Sequence, residues 1–273
     1  MLANTRITIL GAGWLGSFLA DYFSKLAYPI KVSSRSPAKL EEYLTKGFET
    51  HHFDLAENYI DDNSLFNAEI IIICIAGKLN EETNEKYWLD KFGQLFQKLK
   101  AINPRKVFLM SSIGVIPDLE NNFTEKDAVS LNLNKSFSLC AEEALLNLYP
   151  WPAFIFRLGG LIGPGRDLAK HFAGKSAIPN GLNPVNLIHV KDICGILQWA
   201  MENEYNHPIT HLVNPEHPTR EKYYTDLCFK LGFDQPHFIS EKKQWKQVNS
   251  AFLKDFYSFQ VNLDNISKKD FII

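Results

Sequence analysis

Cysteine is scarce in this chain: four in 273 residues, at Cys74, Cys140, Cys194 and Cys228. No two of them make a C-x-x-C, so neither a zinc knuckle nor a redox pair is expected. Their mostly apolar neighbours, such as Ile-Ile-Ile-Cys-Ile around Cys74, predict buried thiols in a reducing compartment. No apolar run reaches the ~18–20 residues that cross a bilayer. The opening Met1-Leu2-Ala3-Asn4-Thr5-Arg6 lacks a signal-peptide layout. The expectation is a soluble, cytoplasmic protein with no membrane partner. Basic excess is also missing: 29 Lys+Arg stand against 31 Asp+Glu, a formal net charge of −2. That disfavours a general nucleic-acid binder, and aromatics without a basic stripe belong to a core. The histidines do not combine into a ligand set. His51-His52 alternate on a strand and point to opposite faces. His207, His211 and His217 are separated by prolines and lack an acid at ligand spacing, so no metal is expected. Internal repeats and low-complexity tracts are absent.

What is present is ordinary globular composition, 45% hydrophobic and 22% charged, in a chain long enough to bury a large core. The first half alternates short apolar runs with amphipathic stretches. Strands are expected at Arg6–Leu10, Ile30–Ser33, Phe48–Phe53, Glu69–Ile75, Lys106–Ser111 and Ala153–Leu158. Helices are expected at Trp14–Leu26, Pro37–Lys46, Glu85–Ala101 and Leu131–Leu148. Strands alternating with helices predict an α/β doubly wound parallel sheet of Rossmann type. After about residue 160 the rhythm breaks and Pro and Gly become frequent. This predicts a dinucleotide-binding region over 1–160 and a smaller, mixed α/β substrate region over 161–273, with some chain returning to the sheet.

The sharpest local signal is Gly11-Ala-Gly13-Trp14-Leu15-Gly16, directly after a strand and opening a helix. Gly11 permits the turn, Gly13 lets backbone approach a diphosphate, and Gly16 brings helix onto strand. The helix N-terminus offers N–H groups and a positive dipole to the phosphates. The second strand ends Val32-Ser33-Ser34-Arg35-Ser36, with no acid until Glu41. NAD sites usually carry an acid there for the ribose hydroxyls. Arg35 instead suits a 2′-phosphate, with Ser33, Ser34 or Ser36 donating hydrogen bonds. NADP(H) is therefore the expected cofactor, with NAD(H) the alternative. Asp54, beside Leu55, is placed for the adenine amino group. Ala76 and Gly77 are small enough for a cofactor to lie against them.

These landmarks, together with Phe108-Leu-Met-Ser111-Ser112-Ile-Gly114-Val115, Arg157-Leu-Gly-Gly160-Leu-Ile-Gly163-Pro164-Gly165-Arg166 and Ile188-His189-Val190-Lys191-Asp192-Ile193, follow one another in a familiar order. Over about residues 6–193 the chain resembles the extended short-chain dehydrogenase/reductase superfamily, in its NAD(P)-dependent epimerase/dehydratase branch. The resemblance implies that Ser112 polarises a substrate oxygen and that Ser111 lies beside the cofactor. It also implies a Tyr-x-x-x-Lys pair on the next helix, which this chain lacks. Aligning on Glu142 puts Asn134 and Ser138 there; aligning on Glu143 puts Lys135 and Leu139. The chain thus resembles atypical members without the pair, with Lys135 a candidate ribose contact. Tyr87-Trp-Leu-Asp-Lys91 has the spacing but precedes the Ser111-Ser112 strand, and reads as a surface helix pair. Arg166 is a candidate anchor for an acidic or nucleotide-linked substrate. His189 reads as structural, and Asp192 as a local cap.

The expected function is an NADP(H)-dependent oxidoreductase or epimerase/dehydratase-like protein. Its substrate would be small, nucleotide-linked ligands among the candidates, and would react at a hydroxyl or carbonyl carbon. The alternative is a non-catalytic NADP(H)-binding sensor or interaction module. A monomer or homodimer is expected.

Overall fold

Apolar runs with no polar alternation belong to strands covered on both faces, and two such runs form the centre of the structure. The computed structural model describes residues 5–57, 63–127, 136–148 and 152–271. The chain begins with β1 (Ile7–Leu10), α1 (Trp14–Lys25), β2 (Ile30–Ser34), α2 (Pro37–Thr45) and β3 (Glu49–His52). It continues through the short α3 (Asn63–Phe66), β4 (Ile70–Ile73), α4 (Glu85–Ile102), β5 (Lys106–Ser112) and β6 (Asn121–Phe123). Then follow α5 (Phe137–Leu146), β7 (Ala153–Leu158), β8 (Gly160–Ile162), β9 (Leu187–His189) and α6 (Val190–Glu202). β10 (Ile209–Leu212), α7 (Arg220–Leu231) and β11 (Lys246–Val248) complete the main elements.

Seven strands form a parallel sheet in the order β10-β7-β5-β4-β1-β2-β3. In register, Ile9 lies opposite Val32 on one side and Ile72 on the other. The sheet grows outward from β1 through β2 to β3, then returns to place β4 on the other side of β1. Ligands of such sheets bind at this reversal, beyond the carboxyl ends of the strands. The doubly wound Rossmann class expected from the sequence is the observed one.

Local chemistry explains the helix ends. Ser36 caps α2, its hydroxyl accepting from Lys39 N, and Pro37 occupies the first helical position, where no N–H is needed. Asn84 caps α4 by accepting from Tyr87 N at 3.1 Å, and α4 ends on Asn103 in the left-handed region, φ 57°. Ser136 caps α5 through Leu139 N at 3.2 Å. The first part of that helix's expected span, with Asn134 and Lys135, lies outside the described residues.

The described chain divides into two compact units. The first comprises Met1–Val115, Leu131–Phe156 and Leu197–Ile209; the second comprises Ile116–Ser130, Arg157–Ile196 and Thr210–Ile273. Within the first, α4 and α5 pack Phe92, Leu95, Phe96, Leu99 and Leu145 onto Ile71, Ile73, Leu109 and Ile155. Phe137 meets Trp88 and Phe92 edge to face, with ring centroids 4.8 and 5.0 Å away. Within the second, β8 pairs with β9 and β6 with β11. α7 lays Tyr223, Tyr224 and Leu227 against Leu187, Val261 and Leu263.

His189 belongs to that second unit. It is fully buried; its Nδ1 accepts from Lys191 N at 3.2 Å, and its Nε2 donates to Asp270 O at 2.9 Å. Both nitrogens are used by the neutral ring, and burial holds its pKa below the usual value. Asp192 is not a local cap. Its Oδ1 accepts from Tyr257 OH at 3.1 Å and Gln260 N at 2.7 Å, tying down chain more than sixty residues away. The carboxylate points into the unit, so its partners come from the tail, and burial raises its pKa.

Candidate functional site

The turn after β1 is built as its three glycines require. Gly11 has φ 91°, and a Cβ there would lie 3.0 Å from the carbonyl of Cys74 just after β4. Gly16 presses α1 onto the turn: a Cβ there would fall 2.5 Å from Gly11 O. Around Gly13 the situation reverses, with no atom within 4 Å of where a methyl group would sit. No side chain caps α1, whose N-cap is Gly13. An open space in front of a helix N-terminus without a side-chain acceptor suits an anion. Trp14, Leu15 and Gly16 form the first helical turn; Leu15 and Gly16 are buried beneath it.

The turn is braced by residues whose roles the sequence did not reveal. Ser33 is fully buried; its Oγ accepts from Gly11 N at 3.1 Å and its carbonyl from Ala12 N at 2.7 Å. It is thus a support for the turn, which corrects its reading as a phosphate donor. Tyr43 on α2 donates its hydroxyl to Ala12 O at 3.0 Å. Burial raises the Tyr43 pKa, which keeps the phenol a donor.

The turn opens into a groove of about 920 Å³ at the sheet reversal. Gly11, Gly13, Ser34, Arg35, Asp54, Leu55, Ala76 and Gly77 all line it, so most of the expected cofactor residues share one cavity. Ser34 Oγ accepts from Ser36 N at 3.1 Å and shapes the loop carrying Arg35. The Arg35 side chain is 69% exposed and lies 3.7 Å from Asp54 Oδ2, a loose pair. Asp54 Oδ1 accepts from Ala56 N at 2.9 Å, which fixes the carboxylate at the cavity edge. Lys39, Lys78, Asn80, Thr83 and Trp88 also line the groove. Of these, only Lys39 left a sequence trace, a second cation four residues after Arg35. The others arrive on the β4–α4 loop and the start of α4, where Trp88 Nε1 donates to Lys78 O at 3.1 Å. Cys74 lines the groove too and is half-buried, against the expectation of a buried thiol. The fully covered part of β4 ends at Ile73, one residue earlier.

Ser111 and Ser112 are not among the residues that line the groove, and Lys135 lies outside the described residues. Ser111 is buried and donates its hydroxyl to Glu142, itself almost completely buried on α5. Ser112 is half-buried and its Oγ accepts from Gly114 N at 3.0 Å. Gly77 has an additional reason to be glycine: a Cβ would lie 2.4 Å from the Phe137 ring at the start of α5. Tyr87 and Lys91 behave as a surface pair, with the ammonium 5.6 Å from the ring centroid and Tyr87 OH bonded to Ala56 O at 3.0 Å. Arg166 is an exposed residue of the second unit, its N–H bonded to Gly163 O at 2.9 Å. Among the described residues no three His, Cys, Asp or Glu side chains gather as a metal set. No described helix is long and apolar enough to cross a membrane.

The fold and the glycine turn at its sheet reversal define an α/β protein of Rossmann type. No family model matches the chain. The protein YeeZ of Escherichia coli K12 is 27% identical to it over 240 residues, 85% of this chain and 86% of YeeZ. Among solved structures, UDP-glucose 4-epimerase of Thermotoga maritima with UDP-glucose superposes with a TM-score of 0.76 at 16% identity, covering 95% of each chain. UDP-glucuronic acid 4-epimerase of Bacillus cereus in complex with NAD gives 0.75 at 16% identity, over 95% of this chain and 93% of its own. The structural neighbours are thus of the NAD-dependent epimerase/dehydratase kind, and at these identities the likeness is one of fold.

Proposed function

We propose that the chain is a cytoplasmic NADP(H)-binding protein of the atypical extended short-chain dehydrogenase/reductase kind. It would act as an oxidoreductase or epimerase/dehydratase-like enzyme on a small, nucleotide-linked substrate, as a monomer or homodimer. The observation that carries this reading is the open space at Gly13, in front of an uncapped helix and continuous with the groove that holds Arg35. The diphosphate would lie at Gly13, the adenine near Asp54 and Leu55, and a 2′-phosphate against Arg35, with Ser34 shaping the loop. Bound NADP(H) supplies hydride exchange at a hydroxyl or carbonyl carbon. Ser112 would hold the substrate oxygen, Arg166 an acidic group of the substrate, and Lys135 the ribose.

The second reading is a non-catalytic NADP(H)-binding module. It is favoured by α5, which carries Ser138 or Leu139, depending on the register, where the resembled family carries lysine, and by Ser111, whose hydroxyl is taken by Glu142. NADPH consumption across a panel of carbonyl compounds and nucleotide sugars separates the two. Retained NADPH with nothing consumed favours the module. The cofactor assignment is tested by calorimetric titration of Arg35→Asp. NADPH affinity should fall by about 1.5–3 kcal/mol, the worth of a charge-assisted hydrogen bond, with NADH little changed. Equal losses for both dinucleotides would remove the 2′-phosphate from Arg35.

A further inference from the structure

The groove holds a second cation with the right placement for the same phosphate. Lys39 is exposed and lines the cavity with Arg35, Ser34 and Ser36. It lies in the first turn of α2, four residues after Arg35 and four before Tyr43. Residues four apart share a helix face, and Tyr43 on that face reaches the glycine turn through Ala12 O. The same face therefore carries Lys39 over the crevice. Another lysine at the same helix, Lys46, is engaged by Asp21 at 3.5 Å and Glu42 at 3.4 Å. Among the described residues, no carboxylate pairs with Lys39.

Charge balance gives this placement a purpose. A phosphomonoester carries about −1.5 to −2 at neutral pH. Arg35 already has Asp54 at 3.7 Å, so the nearest charges at that corner nearly cancel. One guanidinium facing a carboxylate is a poor match for a dianion; a second, uncommitted ammonium corrects it. We propose that Lys39 and Arg35 together form the 2′-phosphate subsite, Lys39 adding to Arg35 in the discrimination of NADP(H) from NAD(H). This rests on the dinucleotide reading of the groove.

The test is calorimetric titration of NADPH, NADH, adenosine 2′,5′-bisphosphate and AMP into the wild-type chain and into Lys39→Gln and Lys39→Arg. The expected result is a loss of about 5- to 20-fold for NADPH and the bisphosphate in Lys39→Gln. NADH and AMP should stay within about twofold, and Lys39→Arg should restore most of the loss. Urea midpoints confirm that each variant is folded. If the wild type prefers NADPH and Lys39→Gln binds it equally well, Lys39 has no such role while the groove reading stands. If the wild type retains neither dinucleotide, the groove reading fails and the subsite with it. A wild-type preference for NADH likewise overturns the subsite.

Discussion

The three glycines of the first turn differ in what a methyl group would meet, and so separate stability from binding. At Gly16 a Cβ would collide with backbone, 2.5 Å from Gly11 O, and backbone cannot rotate away as a side chain does. Gly16→Ala should therefore destabilise the fold by about 1–3 kcal/mol, as overpacked sites do. Gly13 has an ordinary φ of −76° and empty space beside it. Gly13→Ala should unfold within about 1 kcal/mol of wild type, in the range of small backbone substitutions. On the proposed reading its methyl would nevertheless intrude on the diphosphate and abolish dinucleotide retention. Paired urea unfolding and NADPH titration read the two effects. A Gly13→Ala protein that binds NADPH normally would show that the space serves something else.

At the scale of elements, legibility follows the range of the interactions. β1, the turn and α1 can be read because strand, glycine spacing and helix are contiguous and each obeys a local rule. α2 and α4 announce their starts through Ser36-Pro37 and Asn84. The bracing role of Ser33 is hidden because its partner, Gly11 N, lies beyond another strand. The three-residue strands β6, β8, β9 and β11 are too short to show a period. The groove wall is half legible: Arg35 and Asp54 follow strand ends, whereas Lys78, Asn80 and Thr83 lie on a loop whose course is set by packing. That packing runs through Gly77 and Phe137, joining the β4–α4 loop to α5. Phe137 is held between Trp88 and Phe92, so its ring cannot simply step aside. Gly77→Ala should cost about 1–3 kcal/mol by overpacking. Adding Phe137→Leu, which removes the offending ring edge, should cost less than the sum of the two single changes. A double-mutant cycle on urea stability measures the coupling. Strict additivity would mean that loop and helix do not constrain each other.

For the whole molecule, two buried imidazoles are expected to weaken the fold in acid. His189 and His211 are both nearly inaccessible, and burial, the largest influence on each, lowers their pKa below the ordinary 6.5. His211 shows the cost plainly: Nδ1 bonds Asn249 O at 3.2 Å, while Nε2 is buried without a partner among the described residues. Placing a proton on Nε2 would create a buried cation; the Glu125 carboxylate opposes the effect of burial in part, and the Arg157 charge adds to it to a lesser degree. In the unfolded chain both rings protonate near 6.5, whereas in the folded chain they resist. The stability they confer is thus complete above about pH 7 and declines as pH falls through about 6.5 towards the folded values. Each contributes at most about 1.4 kcal/mol per pH unit over that interval. Asp192, whose pKa is raised by burial, acts with the opposite sign: its contribution is lost as pH rises from 3.8 through its folded value. The histidines begin to take up protons in the unfolded chain near their ordinary 6.5, and where their effect prevails the urea midpoint should drop between about pH 7.5 and 5.5. His211→Gln should make that drop shallower, because one of the two resisting rings no longer titrates. A midpoint that holds steady or rises over this interval, and that His211→Gln leaves unchanged, would mean that His211 takes up its proton in the folded chain as readily as in the unfolded one.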